Sequence, residues 1–419
     1  MEEYKGVDYL RRKLNAKQFK VKLRYQYYDM KAMVSDPSPI IPERLKQNYK
    51  SVIGWCGRAV DCIADRLAFR EFRDDNFGLN EIYAMNNPDV LFDNAILSAL
   101  IASCSFIYIT PDEDDYPRLQ VIDGGNATGE IDAITGLLKE GYAVLERNEK
   151  GQVISDAYFV PGRTDYYIDG EEPYSIENAA PYPLLVPILF RPDASRPFGH
   201  SRISRACIDI QNKARNTITR SEVSAEFFSF PQRYVVGTDP NADPLEKWKV
   251  MVGMLLEITK DEDGDKPNIG TFTQQSMEPH LAQLREYAAL FAGETGMTLD
   301  DLGFATENPS SAEAIKAAHE NQRLTARKAQ RTFGSGFLNA GYLAACIRDN
   351  TPYRRREFYR TKPVWEPIFE PDYSAFSTLG DGIQKIAQAA PGYIGADNLQ
   401  DMLGIAPSSD PFPPAGEQE

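Results

Sequence analysis

An α+β fold with long helices is predicted by three observations on the 419-residue chain. Short strands separated by turn signals fill the stretch from about Ser103 to Gly199. Helical apolar periodicity dominates before and after that block. The passage Pro187–Gly237 then runs from an extended apolar segment through a Pro/Gly turn into one helix that stops at Pro231. From Ser201 to Phe228 this helix would reach roughly 40 Å, longer than a compact domain usually needs. A rod of that length must pack against something, and another copy of the same chain is one available partner.

Each element follows from its local pattern. Tyr9–Met33 and Pro42–Phe69 read as two helices, the second with Leu45, Tyr49, Val52, Cys56, Ala59, Val60, Ile63 and Leu67 on one face. The apolar run Ala95–Ile109 reads as a helix end passing into the strand SFIYIT. The strands RLQVID, GYAVLER, VISDAYFV and TDYYIDG follow, with turns at Gly124-Gly125, NEKGQ and GEEP. In the long helix Ile203, Cys207, Ile210, Ala214, Ile218, Ala225 and Phe228 recur near the helical repeat, and Ser201 is placed to cap its start. Gln232–Thr273 mixes short strands and loops around a polar tip at Lys260–Lys266.

A helix from about Pro279 to Gly293 starts with a proline suited to the first turn. Its apolar stripe is Leu281, Leu284, Ala288 and Phe291. Gly296–Pro309 is a loop. Ser310 and Glu313 form a capping-box pair opening another long helix to about Arg348, with a kink expected near Gly334, Gly336 and Gly341. Thr361–Glu370 is extended, Gly380–Leu403 is partly helical, and the stretch APSSDPFPPAGEQE is expected to be disordered.

Composition excludes several classes. Hydrophobic residues make up 42% of the chain, enough for a core. The net charge of −15 argues against a nucleic-acid coat, which must neutralise phosphates, but not against DNA that passes without being held. Cys56, Cys62, Cys104, Cys207 and Cys346 show no CxxC pair or zinc spacing, as expected of reduced, buried thiols. The start MEEYKGVDYL has no apolar signal core, and no run reaches the ~18 apolar residues of a membrane span. A soluble protein made inside a cell is expected.

The search for catalytic chemistry is largely negative. No phosphate loop, HExxH, GxSxG or paired CxxC occurs. His319-Glu320 reads as a mid-helix surface pair, and His200 and His280 as incidental residues at helix starts. Asp300 and Asp301 could serve a nuclease-like metal site, yet they lack a companion carboxylate cluster and read better as a solvated loop. The runs Asp112–Asp115 and Asp261–Asp265 read as polar loop tips, and Arg354–Arg356 as a surface or interface patch. No cofactor or metal is expected, and the chain is not expected to be an enzyme.

The order of these features resembles the portal proteins of tailed bacteriophages, in particular the long-tailed ones. The resemblance is carried by YYDMK, Asn48-Tyr49, AVDCIADRLAFREF, the passage Pro187–Gly237, and GMTLDDLGFATENPSSAEAIKAAHENQ. It implies an elongated portal-type subunit: a wing over 1–198, a first stem helix over 199–229, a clip over 230–277 and a second stem helix over 278–297. A tunnel loop over 298–309, a long kinked helix returning to the wing over 310–376, a reduced crown over 377–405 and a disordered tail over 406–419 complete it. It further implies a ring of about twelve identical subunits joined by heterologous contacts. That ring would sit at one vertex of the virion capsid and pass double-stranded DNA during packaging and ejection. Its implied partners are the terminase large subunit, head-completion or adaptor proteins, and the scaffold and major capsid proteins. Another head–tail connector ring and a metal-dependent nuclease remain as alternatives.

In that frame Thr298, Leu299, Asp300, Asp301, Glu307 and Asn308 belong to the tunnel loop. An acidic loop suits a channel in which DNA must slide, because each Lys or Arg contact adds affinity and therefore friction. Arg202, Arg205, Lys213, Arg215 and Arg220 are expected along the first stem helix. Three readings of them stay open: salt bridges between subunits involving Glu222 or Glu226, a sparse basic ring touching DNA, or a solvated helix face.

Overall fold

The computed structural model describes residues 4–32, 50–112, 116–229, 233–236, 268–271, 276–304, 317–369, 373–395 and 399. In chain order these form α1 (Val7–Tyr28), α2 (Trp55–Ala64), β1 (Phe69–Arg73), α3 (Leu79–Ala84) and α4 (Pro88–Ala102). Eight strands follow: β2 (Cys104–Pro111), β3 (Pro117–Asp123), β4 (Ala127–Ile131), β5 (Leu138–Arg147), β6 (Val153–Val160), β7 (Arg163–Ile168), β8 (Tyr174–Glu177) and β9 (Leu185–Leu189). Then come α5 (Arg205–Ser229), β10 (Arg233–Val236), β11 (Asn268–Thr271), α6 (Glu278–Thr295), α7 (Glu320–Arg348), β12 (Lys362–Trp365) and α8 (Tyr373–Ala389). The chain is α+β. It forms two compact units, one from described residues within 1–25, 60–202 and 320–419, the other from those within 26–59 and 203–319.

The first unit contains a five-stranded antiparallel sheet in the order β4-β5-β6-β7-β8, a three-stranded sheet β3-β2-β9 and the pair β1-β12. Helix α4 packs on β2 and β3, while α7 packs on β9, α3 and β12. The core between them is aromatic. Phe69 lies 4.3 Å from Phe92 and 5.2 Å from Trp365, and Phe337 of α7 lies 4.7 Å from Phe92, measured between ring centroids.

The start of α1 docks on the five-stranded sheet through two buried carboxylates. Glu140 accepts from the backbone N–H groups of Lys5 and Gly6 at 3.0 and 3.1 Å and from the Tyr158 hydroxyl at 2.8 Å. Asp156 accepts from the Tyr142 hydroxyl at 2.6 Å and pairs with Arg11 at 2.8 Å. Burial followed by the Asp156 contact pushes the Tyr142 hydroxyl pKa well up, so it stays a donor. Leu10 and Leu14 fill the space beside Tyr142 and Tyr158.

Several expectations change here. Residues 50–54 are not helical and the described helix runs from Trp55 to Ala64, with Val52 64% exposed, while 42–49 lie outside the described residues. Phe69 leaves helical geometry because it pairs with Trp365 in β1-β12, and such tertiary pairing overrides local propensity. Leu45 and Tyr49 lie outside the described residues. Helix α7 runs from Glu320 to Arg348 through Gly334 and Gly336. Their role is close approach: a Cβ at Gly334 would meet Pro363 at 2.7 Å, and one at Gly336 would meet Ile188 at 2.7 Å. The capping pair Ser310–Glu313 lies outside the described residues, as do the tip 260–266 and nearly all of 396–419.

In the second unit, β10 and β11 pair antiparallel, with Arg233 opposite Thr271. Gly57, in the first turns of α2, sits where a Cβ would press on the Tyr28 carbonyl at 3.1 Å. The Tyr27 hydroxyl bonds Asn212 at 3.0 Å. All five cysteines are free and buried, as expected.

Candidate functional site

The long helix starts three residues later than expected, and Ser204 caps it: its hydroxyl accepts from the Cys207 backbone N–H at 3.1 Å. Ser201 is instead turned back, donating to the Ile101 carbonyl at 2.5 Å. Along α5 the buried positions Cys207, Gln211, Ala214 and Thr217 recur at near-helical spacing. Gln211 meets α2, its side-chain oxygen accepting from the Cys56 backbone N–H at 2.7 Å, and α5 packs along α6. Ser204 bonds Glu294 at 2.9 Å and Thr217 contacts Gln283 at 3.3 Å, so the start of one helix meets the end of the other. The two rods are antiparallel.

On α6 Ala288 and Phe291 are fully buried, but Leu281 is 63% and Leu290 52% exposed. The expected stripe therefore holds at its C-terminal half and fails at Leu281. The basic residues separate in the same way. Arg202 precedes α5 and is buried, its backbone N–H bonded to the Leu100 carbonyl, so it is not part of the helix. Arg205, Lys213 and Arg220 are exposed, with Lys213 paired to Asp209 at 2.8 Å, and Arg215 is half-buried. Glu222 accepts from Ser51 at 3.0 Å within the same chain.

Helix α6 ends at Gly296, which takes the left-handed φ of 67°. A short 3₁₀ turn, Asp300–Leu302, follows, and it is braced reciprocally. The Asp301 carboxylate accepts from both the Thr298 N–H and hydroxyl at 2.9 Å, while the Asp301 N–H donates to the Thr298 hydroxyl at 3.2 Å. The Asp301 carbonyl accepts from Arg58 at 3.4 Å. His319 Nε2 stands 3.7 Å from the Asp301 carboxylate, and its side chain is only 19% exposed. This corrects the reading of His319 as a mid-helix surface residue: it sits at a turn just before α7. Trp55 closes the turn from one side, 5.5 Å from Phe291 and 6.4 Å from Phe304.

Asp300 and Asp301 thus differ. Asp300 is exposed, Thr298 and Leu299 are half-buried, and Asp301 is held inside its own turn. The pattern Thr298-x-x-Asp301 is a capping-box signature, a signal that sequence reasoning passed over in favour of charge. Glu307 and Asn308 lie outside the described residues. Among the described residues, no three His, Cys, Asp or Glu side chains cluster as metal ligands would. Replacing Asp301 with Ala is expected to cost about 1 kcal/mol in stability, and replacing Asp300 within about 0.5 kcal/mol of nothing. Urea denaturation of the two variants measures the difference.

Among the described residues no helix is long and apolar enough to cross a membrane. With this arrangement in place, comparison with known proteins defines the class: portal proteins, structural assembly components of phage virions. Residues 67–368, well over half of the chain, match the family described as phage portal protein, SPP1 Gp6-like, and the chain belongs to that family. The portal protein of Mycobacterium phage D29 is 24% identical, with 91% of this chain and 81% of that protein covered. For the portal protein of Mycobacterium phage L5 the values are 24%, 83% and 75%. Among solved structures, a chain in the neck of the native GTA particle computed with C12 symmetry is similar at 17% identity and a TM-score of 0.48. That match covers 93% of this chain and 100% of that one. A chain in the virion of the native gene transfer agent particle is similar at 15% identity, with the same TM-score and coverage.

Proposed function

We propose that this portal protein assembles into a closed ring of about twelve subunits at one capsid vertex, with heterologous contacts between neighbours. Duplex DNA passes through its channel during packaging and ejection. The ring docks the terminase large subunit first and head-completion proteins later, and it meets the scaffold and major capsid proteins during assembly. Family membership over residues 67–368 is the observation that carries this reading.

Two physical features support it. A heterologous ring subunit needs two different faces, one for each neighbour. Leu281 and Leu290 on α6 are both exposed and stand about two and a half turns apart, hence on opposite sides of the helix. The charge of −15 suits a channel that must not grip phosphate. In this reading α5 and α6 are the paired stem helices, β10 and β11 belong to the clip, and the turn carrying the exposed Asp300 begins the tunnel loop. The remaining wing, long-helix and crown assignments follow the boundaries read from the sequence. For Arg205, Lys213, Arg215 and Arg220 the three readings stand: a neighbouring subunit, the DNA, or a solvated helix face.

Negative-stain images and native mass of the purified protein should show rings with a central hole. A stable monomer under every condition would remove the proposal. Shortening 298–309 is expected to leave rings intact while reducing the DNA packaged per particle, measured by nuclease-protected DNA. Normal packaging by that variant would count against the loop assignment.

A further inference from the structure

The first unit contains a cavity of about 440 Å³ alongside α1. Lys13, Lys17, Lys20 and Arg24 line it from that helix, and Arg196 joins them from the turn before Gly199. The spacing places the four α1 cations on one helix face. Such a concentration of positive charge is unexpected in a chain of net charge −15.

The carboxylate among the lining residues is already engaged. Glu130 lies 2.5 Å from the Lys13 ammonium and 3.2 Å from that of Lys5. Burial raises its pKa, but these two lysines outweigh that and hold it below the ordinary carboxylate range. Lys17, Lys20, Arg24 and Arg196 have no acidic partner among the described residues. Arg24 donates to the Ala102 carbonyl at 2.7 Å, and Arg196 lies 3.4 Å from His200 Nδ1. The Lys13 and Lys17 ammonium groups sit 5.1 and 4.9 Å from the centre of the Phe198 ring, which holds both at the cavity wall. Burial, followed by the charge of Lys13, lowers the Lys17 pKa, and an anion held in the cavity would offset both effects.

We propose that this cavity binds a small anion carrying several phosphate groups, either an inorganic triphosphate or a nucleoside triphosphate. The volume falls in the range of small-molecule sites, roughly 300–1,000 Å³. Four cations without acidic partners match the charge density of a short phosphate chain, whereas an acidic peptide of equal charge would need several residues and more space. Lysine ammoniums are suitable point charges for phosphate oxygens. From Lys17 to Arg24 the helix rises about 10 Å, enough for successive phosphates and too long for a single one.

The test is calorimetric titration of the full-length assembled protein at low salt with sodium triphosphate and, separately, with ATP. Both are expected to bind. The Lys17→Gln/Lys20→Gln double variant should weaken binding about tenfold or more. Lys22→Gln, exposed on the same helix but outside the cavity, should leave it unchanged. Phe198→Ala separates the two sources: a selective loss of ATP affinity assigns the nucleoside form through stacking, and equal effects on both ligands assign the inorganic form. Absence of binding by wild type at millimolar concentrations of both ligands overturns the proposal, whatever the variants do. Undiminished binding by a folded double variant does so too, as does hexaglutamate binding more tightly than triphosphate.

Discussion

Phe337→Ala is expected to destabilise the protein by about 3–5 kcal/mol, the range for deleting a buried aromatic ring and leaving its cavity. Phe337 is fully buried on α7. Its ring centroid lies 4.7 Å from Phe92, 5.6 Å from Phe69 and 6.1 Å from Trp365. Those neighbours come from α4, β1 and β12, so one side chain ties together four elements distant in sequence. Its carbonyl also accepts from the Tyr83 hydroxyl at 2.6 Å, and burial pushes that hydroxyl pKa well up, so it remains a donor. Collapse into the void is hindered because Gly334 and Gly336 already hold the backbone of α7 tight against Pro363 and Ile188. Urea denaturation followed by tryptophan fluorescence reads this through Trp365. Val90→Ala, at a position 52% exposed on α4, is the control and should shift stability within about 0.5 kcal/mol. Equal midpoints for the two variants would show that the aromatic cluster does not hold this unit together.

The elements that were legible in the sequence are those whose signal is local. Helices α5 and α6 follow from apolar periodicity bounded by proline and glycine, and β2, β3, β5, β6 and β7 from strand-forming runs between turns. Elements whose cause is distant were not legible. The FREFR segment looks like the end of a helix until Phe69 is seen opposite Trp365. β4 carries Gly129, which breaks the strand pattern because a Cβ there would press on the Glu140 carbonyl at 2.6 Å. β8 is exposed at all four positions and offers no apolar face to read. The choice between Ser201 and Ser204 as cap turns on the Ile101 carbonyl, contributed by another helix. In the candidate site, charge alone suggested that Asp300 and Asp301 share a role, while hydrogen bonding gives them different ones. The basic residues Lys13, Lys17, Lys20 and Arg24 were passed over in the sequence, because their meaning depends on a cavity that only the fold creates.

Gly199→Ala is the second large effect expected, about 2–5 kcal/mol, combining left-handed strain with overpacking. The turn that leads from β9 towards α5 passes through a crowded backbone crossing. Phe190 donates its N–H to the Ser103 carbonyl at 3.0 Å, and His200 donates to the Phe190 carbonyl at 2.9 Å. Gly199 sits between them at φ 77°, and a Cβ there would lie 2.2 Å from the Phe190 carbonyl oxygen and 3.1 Å from that of Ser103. Neither is a flexible side chain that can swing aside, so relief requires moving the end of β9 or the α4–β2 junction. Ser103 itself already occupies a positive φ of 94°, leaving that junction little freedom to adjust. Gly293→Ala in α6 is the matched control, since its Cβ would meet nothing within 4 Å. There the helix should gain roughly 0.5–1 kcal/mol, because alanine replaces glycine in a helix interior. The same chemical change is thus expected to act with opposite sign at two positions. A Gly199→Ala protein with wild-type urea midpoint would show that the crossing is looser than its geometry requires.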